Sequence, residues 1–135
     1  MAGASFALQK AVFETLTAHA GVTSVLGGPR VYDEVPPRAD FPYLTFGQTT
    51  ERDWSTGTEG GSEHILTLHV WSRARGRKET DDVMAATEAA LHDVALTLDG
   101  HRLINLRHES SDARREADGE TYHGVARYRA VTEPL

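Results

Sequence analysis

Apolar residues recur at helical spacing near the start of the chain. Between Ser5 and about Ala20 the apolar positions three or four residues apart fall on one stripe, and they are Leu8, Val12, Phe13 and Leu16. Ser5 is a residue type that caps helix starts, and Gly21 is a type that follows the last helical turn. The pattern predicts an amphipathic helix from Ser5 to about Ala20.

Two longer runs of β-branched and aromatic residues follow, and they predict strands from Phe41 to about Thr50 and from Glu63 to about Arg73. A short extended run, Val31 to Val35, precedes them and is stopped by two prolines. The segment from Glu51 to Ser62 is polar, rich in glycine and longer than a usual hairpin loop. This loop is therefore expected to be either functional or mobile.

A basic turn from Arg73 to Lys78 leads into a second predicted helix, with Thr80 as its N-cap. Its apolar stripe consists of Val83, Met84, Thr87, Ala90, Leu91 and Val94. The last third of the chain predicts two strands, from about Arg102 to Arg114 and from about Thr121 to Thr132. Asp118-Gly119 between them is a hairpin signal.

This order of elements predicts one α+β domain over residues 1–135. Hairpins joined by a crossover helix indicate an antiparallel sheet of about four strands with two helices packed on one face. The chain has no internal repeat, low-complexity tract or linker that would divide it.

Composition narrows the classes of partner. Lysine and arginine number 14 and aspartate and glutamate 20, which gives a formal net charge of −6. Such a balance argues against whole-domain affinity for nucleic acid or anionic membrane. The first residues carry neither a basic segment nor an unbroken apolar one, and no apolar run approaches the roughly 20 residues of a membrane span. Neither a signal peptide nor a membrane segment is expected.

Candidate catalytic and metal-binding patterns fail on spacing. The absence of cysteine removes thiolate chemistry. Among seven histidines the closest pair, His64 and His69, has an odd separation that predicts opposite sheet faces. No GxSxG elbow, HExxH pair or phosphate-binding Gly-rich loop is present, and paired carboxylates occur only at helix and turn starts. We therefore expect no catalytic residue, cofactor or metal, and no enzyme.

Two clusters remain as candidate contacts. Trp54 lies in the charged stretch Glu51, Arg52, Asp53, where an aromatic residue either anchors an interface or packs on its own domain. Arg73, Arg75 and Arg77 form either a solvated turn or a contact with another subunit or partner, with nucleic acid as a third alternative. Ile65 and Trp71 place apolar surface on the sheet face opposite the Leu66 face, which favours cover by a neighbouring subunit.

The layout resembles the phage tail-terminator or tail-completion proteins, including relatives in gene transfer agents. The resemblance covers nearly the whole chain and depends on the order and spacing of its pieces. These are the N-terminal helix, Val31-Tyr-Asp-Glu-Val-Pro, Phe41-Pro-Tyr-Leu-Thr-Phe-Gly, His69-Val-Trp-Ser-Arg, the alanine-rich helix from Asp81 to His92, and Asp118-Gly-Glu-Thr-Tyr-His-Gly-Val-Ala-Arg-Tyr-Arg-Ala.

The resemblance implies a hexameric ring on the last ring of a tail tube, which stops tube polymerisation and meets the head–tail connector protein. DNA would pass through without specific binding, helped by an acidic lumen. The chain would reside in the bacterial cytoplasm during assembly and then in the particle's tail. On this view Glu51, Arg52, Asp53 and Trp54 contact tube or connector, and Arg73, Arg75 and Arg77 close the ring.

Three alternatives stay open. Another head–tail joining protein or a minor tail protein would share the size and the ring. A small hydrolase would need a convergent set of histidine, serine or carboxylate residues. A monomeric ligand-binding domain would differ in its solution mass.

Overall fold

Three helices and a six-stranded sheet make up the computed structural model, which describes residues 3–135. Met1 and Ala2 lie outside the described residues. They belong to the N-terminal segment for which the sequence predicts no signal peptide. The elements in chain order are α1 Ala4–Ala18, α2 Ala20–Leu26, β1 Val31–Tyr32, β2 Tyr43–Asp53, β3 Ser62–Ser72, α3 Lys78–Leu91, β4 Thr97–Leu98, β5 His101–Arg115 and β6 Tyr122–Pro134.

The sheet has the strand order β1-β2-β3-β6-β5-β4. Its four long strands are antiparallel, β4 is antiparallel to β5, and β1 alone runs parallel to its neighbour β2. The hairpin between β5 and β6 turns at Asp118-Gly119, as the sequence predicts. Asp118 accepts hydrogen bonds from the backbone N–H groups of Thr121 and Glu120, which lower its pKa to about 2.

The core lies between the helices and one face of the sheet. Leu66, Leu68 and Val70 of β3 point into it with Tyr128 of β6, and all are almost fully buried. This is the face that alternation predicts for β3, because side chains two residues apart share a side of a strand. Helix α3 lies directly against β6 at Gly124, where an added Cβ would lie 2.8 Å from Met84 Sδ and 2.9 Å from Thr80 Cγ2.

The helix boundaries predicted from capping residues are wrong in three places. Gly3, not Ser5, is the N-cap of α1, and Ser5 lies inside the helix. The first helix ends at Ala18 rather than at about Ala20, because His19 breaks it and its Nδ1 accepts the Val22 N–H at 3.2 Å to start α2. Thr80 lies within α3, fully buried against β6, and the helix begins two residues earlier at Lys78.

The prediction of about four antiparallel strands and two helices is correct in class but incomplete. The two-residue strands β1 and β4 are too short to give an alternation signal, and the predicted strand from Val31 stops at Tyr32, before the prolines. No helix within residues 3–135 has the length and apolar character needed to cross a membrane.

Candidate functional site

The sheet face away from the helices, called here the open face, carries the polar clusters of the molecule. Its members on the two central strands are Glu63, Ile65, Thr67, His69, Trp71, His123, Val125, Arg127, Arg129 and Val131. The strands define two ends: the loop end, where β2 and β3 are joined, and the turn end, where β3 leads to α3 and β5 is joined to β6. The two candidate contact clusters lie at these opposite ends.

At the loop end, residues 54–61 form a closed hairpin loop. The Trp54 N–H donates to the Gly61 carbonyl at 2.9 Å, and the Thr56 N–H donates to the Glu59 carbonyl at 2.8 Å. The predicted loop from Glu51 to Ser62 is therefore shorter, since β2 continues to Asp53 and β3 starts at Ser62. Its backbone is held by its own hydrogen bonds.

Trp54 lies at the edge of the open face, 48% exposed. The Arg129 guanidinium carbon is 5.1 Å from the indole centroid and that of Arg52 is 5.7 Å away, both within cation–π range. The half-exposed Ile104 and the buried Val131 line the same groove. The indole thus packs partly on its own domain and still presents apolar surface to solvent.

Glu63 holds the two arginines beneath the indole. Its Oε2 accepts from Arg129 Nε at 2.5 Å and its Oε1 accepts from Arg52 Nε, and the two bonds, that of Arg129 foremost, lower the pKa of this carboxyl. The carboxylate thereby fixes both guanidinium groups in place. Arg52, Arg129 and Glu63 thus form a platform beneath Trp54, and the hydrogen bonds that hold this platform together do not involve the indole.

The basic turn at the turn end is only partly free. Arg73 lies over the Phe41 ring at 4.5 Å, donates from Nε to Thr121 Oγ1 at 3.2 Å, and has Glu120 at 3.8 Å. Arg75 and Arg77 are exposed, and in the part of the chain that the structure describes neither forms a salt bridge. Of the predicted subunit-contact arginines, these two are available to another chain.

A row of titratable groups crosses the open face near the turn end. Glu116 Oε1 accepts from His123 Nδ1 at 2.7 Å, which leaves His123 Nε2 to accept from His69 Nδ1 at 2.6 Å. The Trp71 ring stacks on His123 with centroids 3.9 Å apart, and its Nε1–H donates to Thr45 Oγ1. Trp71 is thus covered from within the chain. Its apolar surface alone therefore does not require a neighbouring subunit.

Burial lowers the pKa of both His69 and His64, and His123, Arg127 and Arg114 lower that of His69 further. Their ordinary value is 6.5, so folding favours the neutral imidazoles. The stability they contribute is complete above about pH 6.5 and is lost as the pH falls below that value, where the unfolded chain binds more protons.

We expect the free energy of unfolding to decrease from pH 7 to pH 5, and His69→Asn to flatten this decrease. Urea unfolding at a series of pH values, followed by tryptophan fluorescence, measures both slopes. A His69→Asn slope equal to that of the unmodified chain would show that His69 is not responsible.

The four residues predicted for the loop contact do not act as one set. Arg52 and Trp54 lie on the open face, whereas Glu51 points to the helix side and accepts from Ser5 Oγ at 2.8 Å. Asp53 accepts from Ser55 Oγ at 2.5 Å. Glu63, Arg129, His123 and Glu116 gave no signal in the sequence. Strand pairing places them: β2–β3 pairing sets Glu63 beside Arg52, and β3–β6 pairing brings Arg129 to Glu63 and His123 to His69. Glu116 reaches His123 from the connection between β5 and β6.

The open face combines paired charges, a half-exposed tryptophan at one end and two exposed arginines near the other. Among residues 3–135 there is no group of three or more histidine or carboxylate side chains placed to hold a metal ion. Serine, histidine and carboxylate do meet at Ser5, His64 and Glu51, but the Ser5 hydroxyl donates to the carboxylate rather than to the imidazole. What this face offers to another molecule is a half-exposed indole at the loop end and two exposed arginines near the turn end.

Comparison with known proteins identifies the family. The family model described as Tail completion protein gp17 matches residues 10–133. The chain therefore belongs to this family, whose members are structural proteins of phage and phage-like tails. No curated protein matches the chain.

Two solved structures extend the comparison. A chain of the virion of the native gene transfer agent particle is 30% identical, with a TM-score of 0.90, over 98% of this chain and 99% of that chain. The gp17 protein of bacteriophage SPP1 has a TM-score of 0.61 at 23% identity, over 94% of this chain and 89% of that one. The second likeness concerns the fold alone.

Proposed function

We propose that this protein forms a ring at the head-proximal end of a phage-like tail tube, where it stops tube polymerisation and joins the tail to the head–tail connector. The observation that carries the proposal is the match to a chain of an assembled gene transfer agent virion over almost the whole length of both chains. The mechanism is geometric: the bound ring covers the surface that the next tube ring would need.

The loop end supplies the contact with the tube or connector. Trp54 is half exposed, held above two fixed arginines and adjacent to Ile104 and Val131. Aromatic residues in rigid surroundings lose little conformational entropy on docking and are frequent energetic anchors. This geometry supports Arg52 and Trp54 as contact residues more than Glu51 and Asp53, which are occupied within the chain.

DNA would pass through the ring without specific binding. The net charge of −6 led to the expectation of an acidic lumen. The open face carries more arginine than carboxylate, so the lumen would not be acidic if this face lined the ring. Each arginine there has a carboxylate partner within the chain: Arg52 and Arg129 with Glu63, Arg127 with Asp112, Arg114 with Glu116, and Arg107 with Asp93. Pairing reduces the positive charge that these guanidinium groups offer to phosphates, although Arg52 and Arg129 share one carboxylate, so passage depends on partial neutralisation rather than on repulsion.

Deletion of the gene in the producing cell tests the proposal. We expect overlong tubes or separate heads and tails in electron micrographs, and restoration of complete particles when the gene is supplied again. Complete particles with tails of ordinary length in the deletion strain would overturn the proposed function.

Arg75 and Arg77 are proposed to close the ring together with Arg73, by pairing with carboxylates of the next copy. We expect oligomerisation to weaken with rising salt, and Arg75→Glu with Arg77→Glu to weaken it several-fold at low salt, because exposed ion pairs are screened. Sedimentation velocity at two salt concentrations measures the effect. Arg38→Glu, which changes an exposed arginine outside the turn, is the control. An oligomer that is indifferent to rising salt and to Arg75→Glu with Arg77→Glu would refute the role.

A further inference from the structure

The long edges of the sheet are covered only in part, and on opposite halves. β1 covers β2 at Leu44 and Thr45, at the turn end. β4 covers β5 at the loop end, and the segment after α3 extends that cover, since the Asp93 N–H donates to the Leu106 carbonyl and the His108 N–H donates to His92 Nδ1. Within residues 3–135, residues 49–53 of β2 and 110–115 of β5 have no strand paired to their outer side.

The two uncovered segments match each other in several ways. Each begins directly after a β-bulge, between Phe46 and Thr49 on β2 and between His108 and Ser110 on β5. They are similar in length and mostly exposed, and neither contains proline, which would remove a backbone N–H from the edge, or lysine. The β2 segment carries two carboxylates and one arginine, whereas the β5 segment carries two arginines and one carboxylate.

Main-chain groups on both segments point away from the sheet. Leu44 and Leu106 each make a backbone hydrogen bond on the outer side of their strand, so their N–H and C=O groups point to the outer edge of the sheet. Every second residue of an antiparallel strand does the same, and the register on the far side of each bulge identifies these residues there. The outward-facing residues are Thr49, Glu51 and Asp53 on β2, and Ser111, Ala113 and Arg115 on β5. No backbone hydrogen bond to another part of residues 3–135 satisfies these groups on the outer side.

We propose that the 110–115 edge of one copy pairs antiparallel with the 49–53 edge of the next copy, so that the sheet continues from subunit to subunit. This inference rests on the ring of the proposed function and specifies how the ring closes. Glu51 would lie opposite Ala113, with Arg115 diagonal to it, and Thr50 would lie opposite Arg114. The contact is heterologous, as a closed ring requires.

The geometry of the edges is consistent with closure. Glu51 is level with His64 of β3, and Ala113 is level, through Gly124, with Val70, six residues further along that strand. Pairing Glu51 of one subunit with Ala113 of the next therefore displaces the two subunits by about 20 Å along the strand direction. The four long strands of one subunit are together about 19 Å wide. A ring without axial rise then needs a strand tilt of about 45°, at the upper end of the range of closed barrels.

Intermolecular disulfides test the register directly, because the chain has no cysteine. Thr50→Cys with Arg114→Cys puts two thiols in a directly opposed pair, where Cα atoms are about 4.5 Å apart. We expect oxidised particles to give a covalent ladder of multiples of the chain on a non-reducing gel. The control pairs Thr50→Cys with Arg107→Cys, on the covered half of β5, and should give none.

A proline substitution provides a second test. Ala113→Pro removes an outward N–H without removing a ladder bond inside the subunit, so its melting temperature should stay within a few degrees while oligomerisation is lost. Ala117→Pro, at a turn position that favours proline, is the matched control and should assemble.

Complete particles without a ladder, or Ala113→Pro chains that assemble like Ala117→Pro chains, would overturn the edge pairing and leave the proposed function intact. Dimers from Thr50→Cys alone at the same yield as the pair would indicate β2 to β2 pairing and would also overturn it. An unchanged particle in the deletion strain would instead remove the proposed function.

Discussion

Trp54→Ala is expected to lower the yield of joined particles about tenfold or more while the fold stays intact. A buried interface tryptophan is worth about 2 kcal/mol or more on truncation, and about 1.4 kcal/mol corresponds to a tenfold change in affinity. The platform beneath survives the change, because Glu63 and not the indole holds Arg52 and Arg129.

The measurement is complementation of the deletion strain with the Trp54→Ala gene, counting joined particles in electron micrographs. Phe13→Ala is a matched control, since Phe13 is an aromatic residue of similar exposure, 41%, on α1 in the helix layer. The purified variant should melt within a few degrees of the unmodified chain. A particle count equal to that of the Phe13→Ala strain would remove Trp54 from the contact.

Leu68→Ala is expected to have the largest effect on stability, a loss of about 2–5 kcal/mol in the free energy of unfolding. Leu68 is fully buried between the sheet and the helices. Its removal costs the transfer free energy of the lost atoms and leaves a cavity in a close-packed layer.

Ile65→Ala on the same strand is the control, because Ile65 lies on the open face and is only half-buried. Urea unfolding of both variants should give a clearly larger loss for Leu68→Ala. Equal losses would mean that the open face is as tightly covered as the core, as it would be if a second chain remained bound there.

Local pattern was sufficient for the elements that present a repeated signal. The alternation in β3 predicted both its position and the face that Leu66, Leu68 and Val70 bury. The stripe of α3 likewise predicted Val83, Thr87 and Leu91 as core residues. These signals are reliable because burial on one side imposes a period on many residues at once.

Single-residue signals were less reliable, because tertiary contacts compete with them. Thr80 has the chemistry of an N-cap, yet packing against Gly124 buries it within α3. His19 gave no signal as a helix cap, yet its ring nitrogen starts α2. A polar side chain has several local uses, and its surroundings select among them.

The amino-acid sequence by itself determined the α+β class, the long strands, the buried side of β3 and the two candidate contact clusters. Each of these features follows from the pattern of residues that are close together in the sequence. The placement of those clusters at opposite ends of one sheet depended on the chain's path. The contacts of Glu63 with Arg129 and of His69 with His123 depended on it as well, since these partners are 66 and 54 residues apart in sequence. Such contacts follow from the pairing of β3 with β6, and a long-range pairing is chosen by the free energy of the whole packed sheet rather than by any local segment.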